Sequence, residues 1–254
     1  MKQSFLGIAA IALCAGAASA QVAQVVASGE ARSYDIRTSR WSSGSIIERA
    51  GTTIYSNITN DTTNGLIHST AGGVVGDDVT PVNLPMGGDI VSDVTISIAN
   101  FSGLGGSNAS PLTGVDLDVI FYSTGGGGVP GAIIGSFNFS GALDAPINPL
   151  SFALVTFSGL GSLPGLISVP DAEFLVGVRF NGATGPAATS LGQVFFGPPT
   201  DGSSASRYFR LPGVNPTNAP GTTNNFALEV QVPTPASLGL LAIGGLVAGR
   251  RRRN

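Results

Sequence analysis

The sequence predicts an all-β protein, a jelly-roll-like β-sandwich of about 8–10 strands, flanked by an N-terminal signal helix and a short C-terminal hydrophobic helix. Three observations carry that prediction. Apolar and polar residues alternate with period two through most of the chain. Clusters of Gly and Pro break the alternation into short pieces. No stretch away from the two ends offers the 3.6-residue apolar repeat of an amphipathic helix. Composition agrees: 254 residues include 37 Gly and 16 Pro, and only 11% are charged.

The first element is residues 1–20. Met1-Lys2-Gln3 is a short positive start, Phe5 to Ala17 is apolar, and Ala18-Ser19-Ala20 has the small-x-small form of a cleavage site. The segment reads as a signal peptide cut by signal peptidase at Ala18 and Ala20, leaving Gln21 first. Its apolar run is shorter than the roughly 20 residues of a membrane span. Cys14, the only cysteine, lies inside it and follows Leu13, which disfavours lipid attachment. The remaining chain then holds no thiol for a disulfide or a thiolate metal site.

Residues 21–56 are less regular and are expected to form an arm or an edge segment, docked by Trp41 or Tyr55. Residues 57–232 carry the strands. Val94, Ile96 and Ile98 alternate with Thr95 and Ser97. Val115, Leu117, Val119 and Phe121 form one face, with Asp116, Asp118, Ile120 and Tyr122 on the other. Phe174 to Phe180 and Phe226 to Val232 repeat the pattern, with shorter candidates at Ile133–Phe139, Phe152–Phe157, Gln193–Phe196 and Ser206–Leu211. One polar face per strand predicts two sheets packed face to face; a closed barrel is the second choice.

Residues 233–254 are the last element. Ala236 to Gly249 is uncharged, and as a helix would measure about 21 Å against a hydrocarbon core of about 30 Å. Arg250, Arg251, Arg252 and Arg253 follow it and would stay on the cytoplasmic side. The short motif Val232-Pro233-Thr234-Pro235-Ala236-Ser237, the marginal apolar helix and the arginines together resemble the PEP-CTERM sorting signal of exported bacterial proteins, with Thr234 where the family has Glu. The resemblance implies transient anchoring in the inner membrane, cleavage by an exosortase-type enzyme near Pro233–Ala236, and release or attachment at the cell surface.

A second resemblance spans roughly Ile54 to Arg210. The run "VGDDVTPVNLPMGGDIVSDVTISIANFSG", then "VDLDVIFYSTGGGGVPGAIIGSF", then "FLVGVRFNGATGPAATSLGQVFFGPPTDGSSASRYFR" resembles the β-sandwich "choice-of-anchor" domains of exported proteins. It implies a surface or secreted domain and brings no catalytic residues with it.

Without the two ends, seven arginines face 15 acidic residues, a net charge of −8. No basic stripe survives, which argues against nucleic acid as a partner. His68 is the only histidine, and "GLIHSTAGG" around it is not a nucleophile elbow. One His and no Cys make zinc improbable. Carboxylates pair at Asp77–Asp78, Asp89–Asp93 and Asp116–Asp118. With one Trp and four Tyr, the chain is poor in sugar-stacking aromatics for a glycosidase cleft. Hard oxygen ligands suit calcium, so Asp77 or Asp78 is the candidate metal ligand, against the plain alternative of a turn-forming pair. In an extended strand these two neighbours point to opposite faces. Gly125 to Gly128 lacks the following Lys and Ser/Thr of a phosphate loop.

These readings converge on a non-enzymatic, exported structural or interaction protein of a cell surface or extracellular matrix, processed at its C-terminal signal. A glycan- or calcium-dependent adhesion module, with extracellular polysaccharide as partner, is the alternative. A secreted carboxylate hydrolase is the third.

Overall fold

The computed structural model describes residues 22–24, 30–43, 51–59, 61–68, 73–85, 87–104, 108–205, 208–211, 214–217 and 225–234. Its strands begin with β1 (Val22–Gln24), β2 (Glu30–Asp35), β3 (Arg40–Ser43), β4 (Gly51–Ser56), β5 (Asp61–Ile67) and β6 (Val74–Val79). They continue with β7 (Asp89–Ile90), β8 (Asp93–Asn100), β9 (Leu112–Thr124), β10 (Pro130–Ile147), β11 (Ser151–Ser158) and β12 (Ser168–Val169). The last are β13 (Phe174–Thr184), β14 (Leu191–Phe196), β15 (Tyr208–Leu211), β16 (Val214–Thr217), β17 (Asn225–Phe226) and β18 (Leu228–Pro233).

Two large sheets form the sandwich. One has ten strands along the path β1-β5-β14-β8-β11-β2-β3, with β17 added on β14 and β18 joining β8 to β4. The other has six, in the order β10-β9-β13-β6-β15-β16. A small pair, β12 with β7, lies apart from both. The larger sheet is mixed, because β2 runs parallel to β11. That departs from the wholly antiparallel sheets of the expected jelly roll.

The core lies between the sheets. Val94, Ile96, Ile98, Val155, Phe157, Leu228, Val230 and Val232 of the larger sheet meet Leu117, Val119, Phe121, Val176, Val178 and Phe180 of the smaller. These are the inward residues that period-two alternation selects. Each fully buried Phe, Ile or Leu contributes about 2–3 kcal/mol of transfer free energy. The outward residues depart from the simple pattern. Thr95 and Ser97 on β8 are buried, not solvated, with Thr95 Oγ1 bonding Thr156 Oγ1 at 2.8 Å and Ser97 Oγ accepting the Val194 N–H at 2.9 Å. On the same outer face, Ala99, Phe101, Phe152, Val194 and Phe196 make a second apolar layer. Phe101 lies across Gly65 and Gly192, where an added Cβ would come within 2.6 and 2.7 Å of its ring.

Turn chemistry explains the long β9–β10 hairpin. Gly126, Gly127 and Gly128 all take positive φ, and Gly125 N–H bonds Val129 O at 2.7 Å. Only glycine runs through the left-handed region at so little cost.

Residues 21–56, expected to be an arm or edge, contribute β1 to β4, and β2 and β3 close one edge of the larger sheet. Trp41 there donates its indole N–H to Ala142 O at 3.0 Å and packs edge-on against Phe139.

The terminal helices require correction. Among the described residues there is no α-helix, and the last element, β18, is a strand. Pro233, the first proline of the presumed sorting motif, is the end of that strand and pairs with Gly51, while Val232 is core. A proline is tolerated there because the strand is ending and needs no further ladder bond. Ala18, Ala20, Pro235, Ala236 and Arg250 to Arg253 lie outside the described residues; Thr234 follows the strand without regular structure.

Candidate functional site

β6 is the most enclosed strand of the smaller sheet, buried along its whole length between β13 and β15. It carries Asp77 and Asp78, which are 0% and 2% exposed. The segment after β14 is tied to both sheets: Ser203 exchanges backbone hydrogen bonds with Thr80, and Ser56 N–H bonds Asp201 O. Gly202 makes this close passage possible, with φ +74 and space for no Cβ beside Thr80 O.

That segment delivers Ser204 to both carboxylates. Ser204 Oγ lies 3.2 Å from Asp77 Oδ1, 3.3 Å from Asp78 Oδ1 and 3.0 Å from Asn225 Oδ1. The two neighbours therefore converge on one hydroxyl, although an ideal strand would separate them. Backbone donors take up the rest. Asp77 Oδ2 accepts the Phe226 N–H at 2.8 Å, Asp77 Oδ1 the Asp78 N–H at 2.9 Å, and Asp78 Oδ2 the Ala205 N–H at 2.9 Å.

Burial pushes the Asp77 carboxyl well above the usual range, and the charge of Asp78 adds to it. The bonds from Phe226, Asp78 and Ser204 pull the other way without overcoming this. Proton retention also eases crowding, because one hydroxyl proton on Ser204 faces three acceptor oxygens. Tyr55 closes the cluster: burial, then the charges of Asp77 and Asp78, raise its phenol well above 10, and its hydroxyl has no hydrogen bond of normal geometry.

His68 is elsewhere and is also shut in. It is 3% exposed, packs edge-on against Phe180 at 4.9 Å, and neither ring nitrogen makes a hydrogen bond of normal geometry. Burial lowers its pKa to about 3, with Arg210 adding to the effect and nearby Gln193 and Gly73 opposing it. Among the described residues no carboxylate orients it as a Ser-His-Asp relay requires.

Asp116 and Asp118 share the outer face of the smaller sheet, on the strand between β10 and β13. Asn138 donates to both at 2.9 Å, while Asn181 and Arg179 donate to Asp118 Oδ2. Partial burial raises Asp118, and the bonds from Asn181, Asn138 and Arg179 outweigh it, holding the carboxyl below its usual range. Asp89 bonds the N–H of its neighbour Ile90, and Asp93 opens β8.

Among the described residues no three His, Cys, Asp or Glu side chains gather as a metal cluster. A cleft of about 190 Å³ is lined by Glu30, Arg32, Pro146, Ile147 and Phe152. That is smaller than the ~300–1,000 Å³ of ordinary small-molecule pockets. Its guanidinium is committed to Glu30, Ala145 O and Pro146 O.

Sequence reasoning singled out Asp77 and Asp78 but missed Ser204, Asn225 and Tyr55. Ser204 and Asn225 lie well over a hundred residues from Asp77 along the chain, and nothing local marks them.

The fold defines a two-sheet all-β sandwich. No protein-family model, no curated protein and no solved structure matches the chain. Family membership through a PEP-CTERM tail or a choice-of-anchor domain is therefore unsupported. The export reading built on them is corrected with it. No helix among the described residues is long and apolar enough to cross a membrane, and the presumed tail begins inside a strand. Signal peptidase, an exosortase-type enzyme, a membrane anchor and a cell-surface destination accordingly have no structural footing.

Proposed function

We propose that this chain is a non-enzymatic β-sandwich module whose polar side chains serve its architecture. The observation that carries the reading is the enclosure of Asp77 and Asp78. An acid–base pair must reach a substrate within hydrogen-bond distance, and these two spend their oxygens on Phe226, Ala205, Asp78 and Ser204. The buried, neutral His68 supports the same reading. So does the outward Asp116–Asp118 group, whose oxygens are taken by Asn138, Asn181 and Arg179.

The test is a panel of ester, glycoside, phosphoester and peptide substrates, assayed with the full chain beside Asp77→Asn and His68→Leu. No turnover is expected. Turnover by the full chain would overturn the reading, and its loss in either variant with the melting curve preserved would assign it to that residue. Calcium and EDTA are added to the same melts, and neither is expected to move Tm, because the Asp77 oxygens already accept fixed N–H donors.

A further inference from the structure

β10 ends the smaller sheet. It pairs with β9 alone, and among the described residues no backbone hydrogen bond reaches its other edge between Gly135 and Gly141. Open edges of this kind are normally guarded by charge, proline or a bulge. Here the guards stand only at the ends. The ladder with β9 is regular from Gly135 to Ala142, with irregularities on both sides, before Gly135 and after Ala142. No charged residue occurs from Pro130 to Leu143. Beyond the window the edge is occupied: Trp41 bonds Ala142 O, and Arg32 bonds Ala145 O and Pro146 O.

The open window has a property that selects its partner. Gly135-Ser136-Phe137-Asn138-Phe139-Ser140-Gly141 reads the same in both directions. Two antiparallel copies related by a two-fold axis through Asn138 bring like against like. Ser136 meets the second copy's Ser140, Phe137 its Phe139, and Gly135 its Gly141. Directly opposed residues of an antiparallel pair share a face. The alternation of the window matches this, with Phe137 and Phe139 buried and Ser136, Asn138 and Ser140 exposed.

We propose that β10 is a self-recognition edge, and that two copies of this chain join their six-stranded sheets through residues 135–141 about a two-fold axis at Asn138. Closed two-fold pairing leaves no free β10 edge, which is how such a surface escapes open-ended association. The proposal is independent of whether the module has an activity.

The experiment is sedimentation equilibrium on the full chain, with melting curves to confirm folding. The full chain is expected to dimerise. Ser136→Lys with Ser140→Lys sets like charges opposite each other and is expected to weaken the dimer about 100-fold. Ser136→Lys with Ser140→Glu sets each introduced charge against its opposite and is expected to restore it. Asn138→Cys is expected to form an intermolecular disulfide at the axis under mild oxidation. A monomeric full chain across the concentration range overturns the proposal, as does a dimer equally tight in both double variants. A complex with an unrelated strand-donating protein, and none with itself, also overturns it.

Discussion

The carboxylate of Asp77, on the six-stranded sheet, accepts the backbone N–H of Phe226, on the ten-stranded sheet, at 2.8 Å. A hydrogen bond thus crosses between the two layers of the sandwich, beside the side chains of Asp78, Ser204 and Asn225. Phe226 in turn stacks on Phe195 at 4.9 Å and packs with Leu66, Val75 and Tyr208. The polar bond fixes the position of β17, and the apolar cluster fills in around it.

Asp77→Ala is therefore expected to cost about 3 kcal/mol, because it strands the buried N–H of Phe226 and removes the Ser204 contact. Asp118→Ala, which loses more bonds but from a partner guanidinium 40% exposed, is expected to cost under about 1 kcal/mol. Urea unfolding of the two variants side by side checks this. Equal losses would mean that the inter-sheet bond has no special weight.

The pH dependence of stability follows from the raised Asp77 carboxyl. Below about 3.8 both folded and unfolded chains hold this proton. As pH rises above that, the unfolded chain releases it first, so the folded state loses stability until its own carboxyl ionises. Asp77→Asn lacks this titration. Its stability is expected to fall less steeply than that of the parent from pH 4 upward, as read from urea midpoints.

His68 has the opposite sign. With its pKa lowered from 6.5 to about 3, the unfolded chain takes up a proton that the folded chain refuses. The His68 contribution is nil above pH 6.5 and costs stability as pH falls toward 3, by roughly 5 kcal/mol at the end of that range. His68→Leu removes no hydrogen bond of normal geometry, so it is expected to flatten the acid limb while leaving neutral-pH stability within about 1.5 kcal/mol. An unchanged acid limb in the variant would contradict the buried, neutral assignment.

Glycine replacement separates crowded positions from open ones. A Cβ at Gly76 would lie 2.2 Å from Val176 O and 2.6 Å from the Phe209 ring. Gly76→Ala is expected to cost about 3 kcal/mol or more. Gly165 has open space and ordinary φ, so Gly165→Ala is expected to be neutral or to stabilise by about 0.5 kcal/mol through the unfolded chain. Thermal melts of both variants decide it.

The strands were legible where one face is core. Val115 to Phe121, Phe174 to Phe180 and Leu228 to Val232 alternate in sequence and turn the same residues inward in the structure. Alternation marks Thr95 and Ser97 only as the polar face of β8; that this face is buried is decided by the apolar layer packed on its outer side. Pro233 reads in the sequence as the first proline of a sorting motif, but its pairing with Gly51 makes it the end of a strand. The candidate site was half visible: an adjacent acid pair can be noticed, but its closure by Ser204, Asn225 and Tyr55 cannot.

By itself the sequence determined the class of the protein, because period-two alternation and glycine turns act over a few residues and need no knowledge of the rest. It also wrote the symmetry of the Gly135–Gly141 window, which is a property of residue order alone. The tertiary structure decided what each polar group does. Whether an aspartate is a ligand, a catalyst or a clasp depends on what lies within 3 Å of it. For Asp77 that neighbour is Phe226, 149 positions away along the chain.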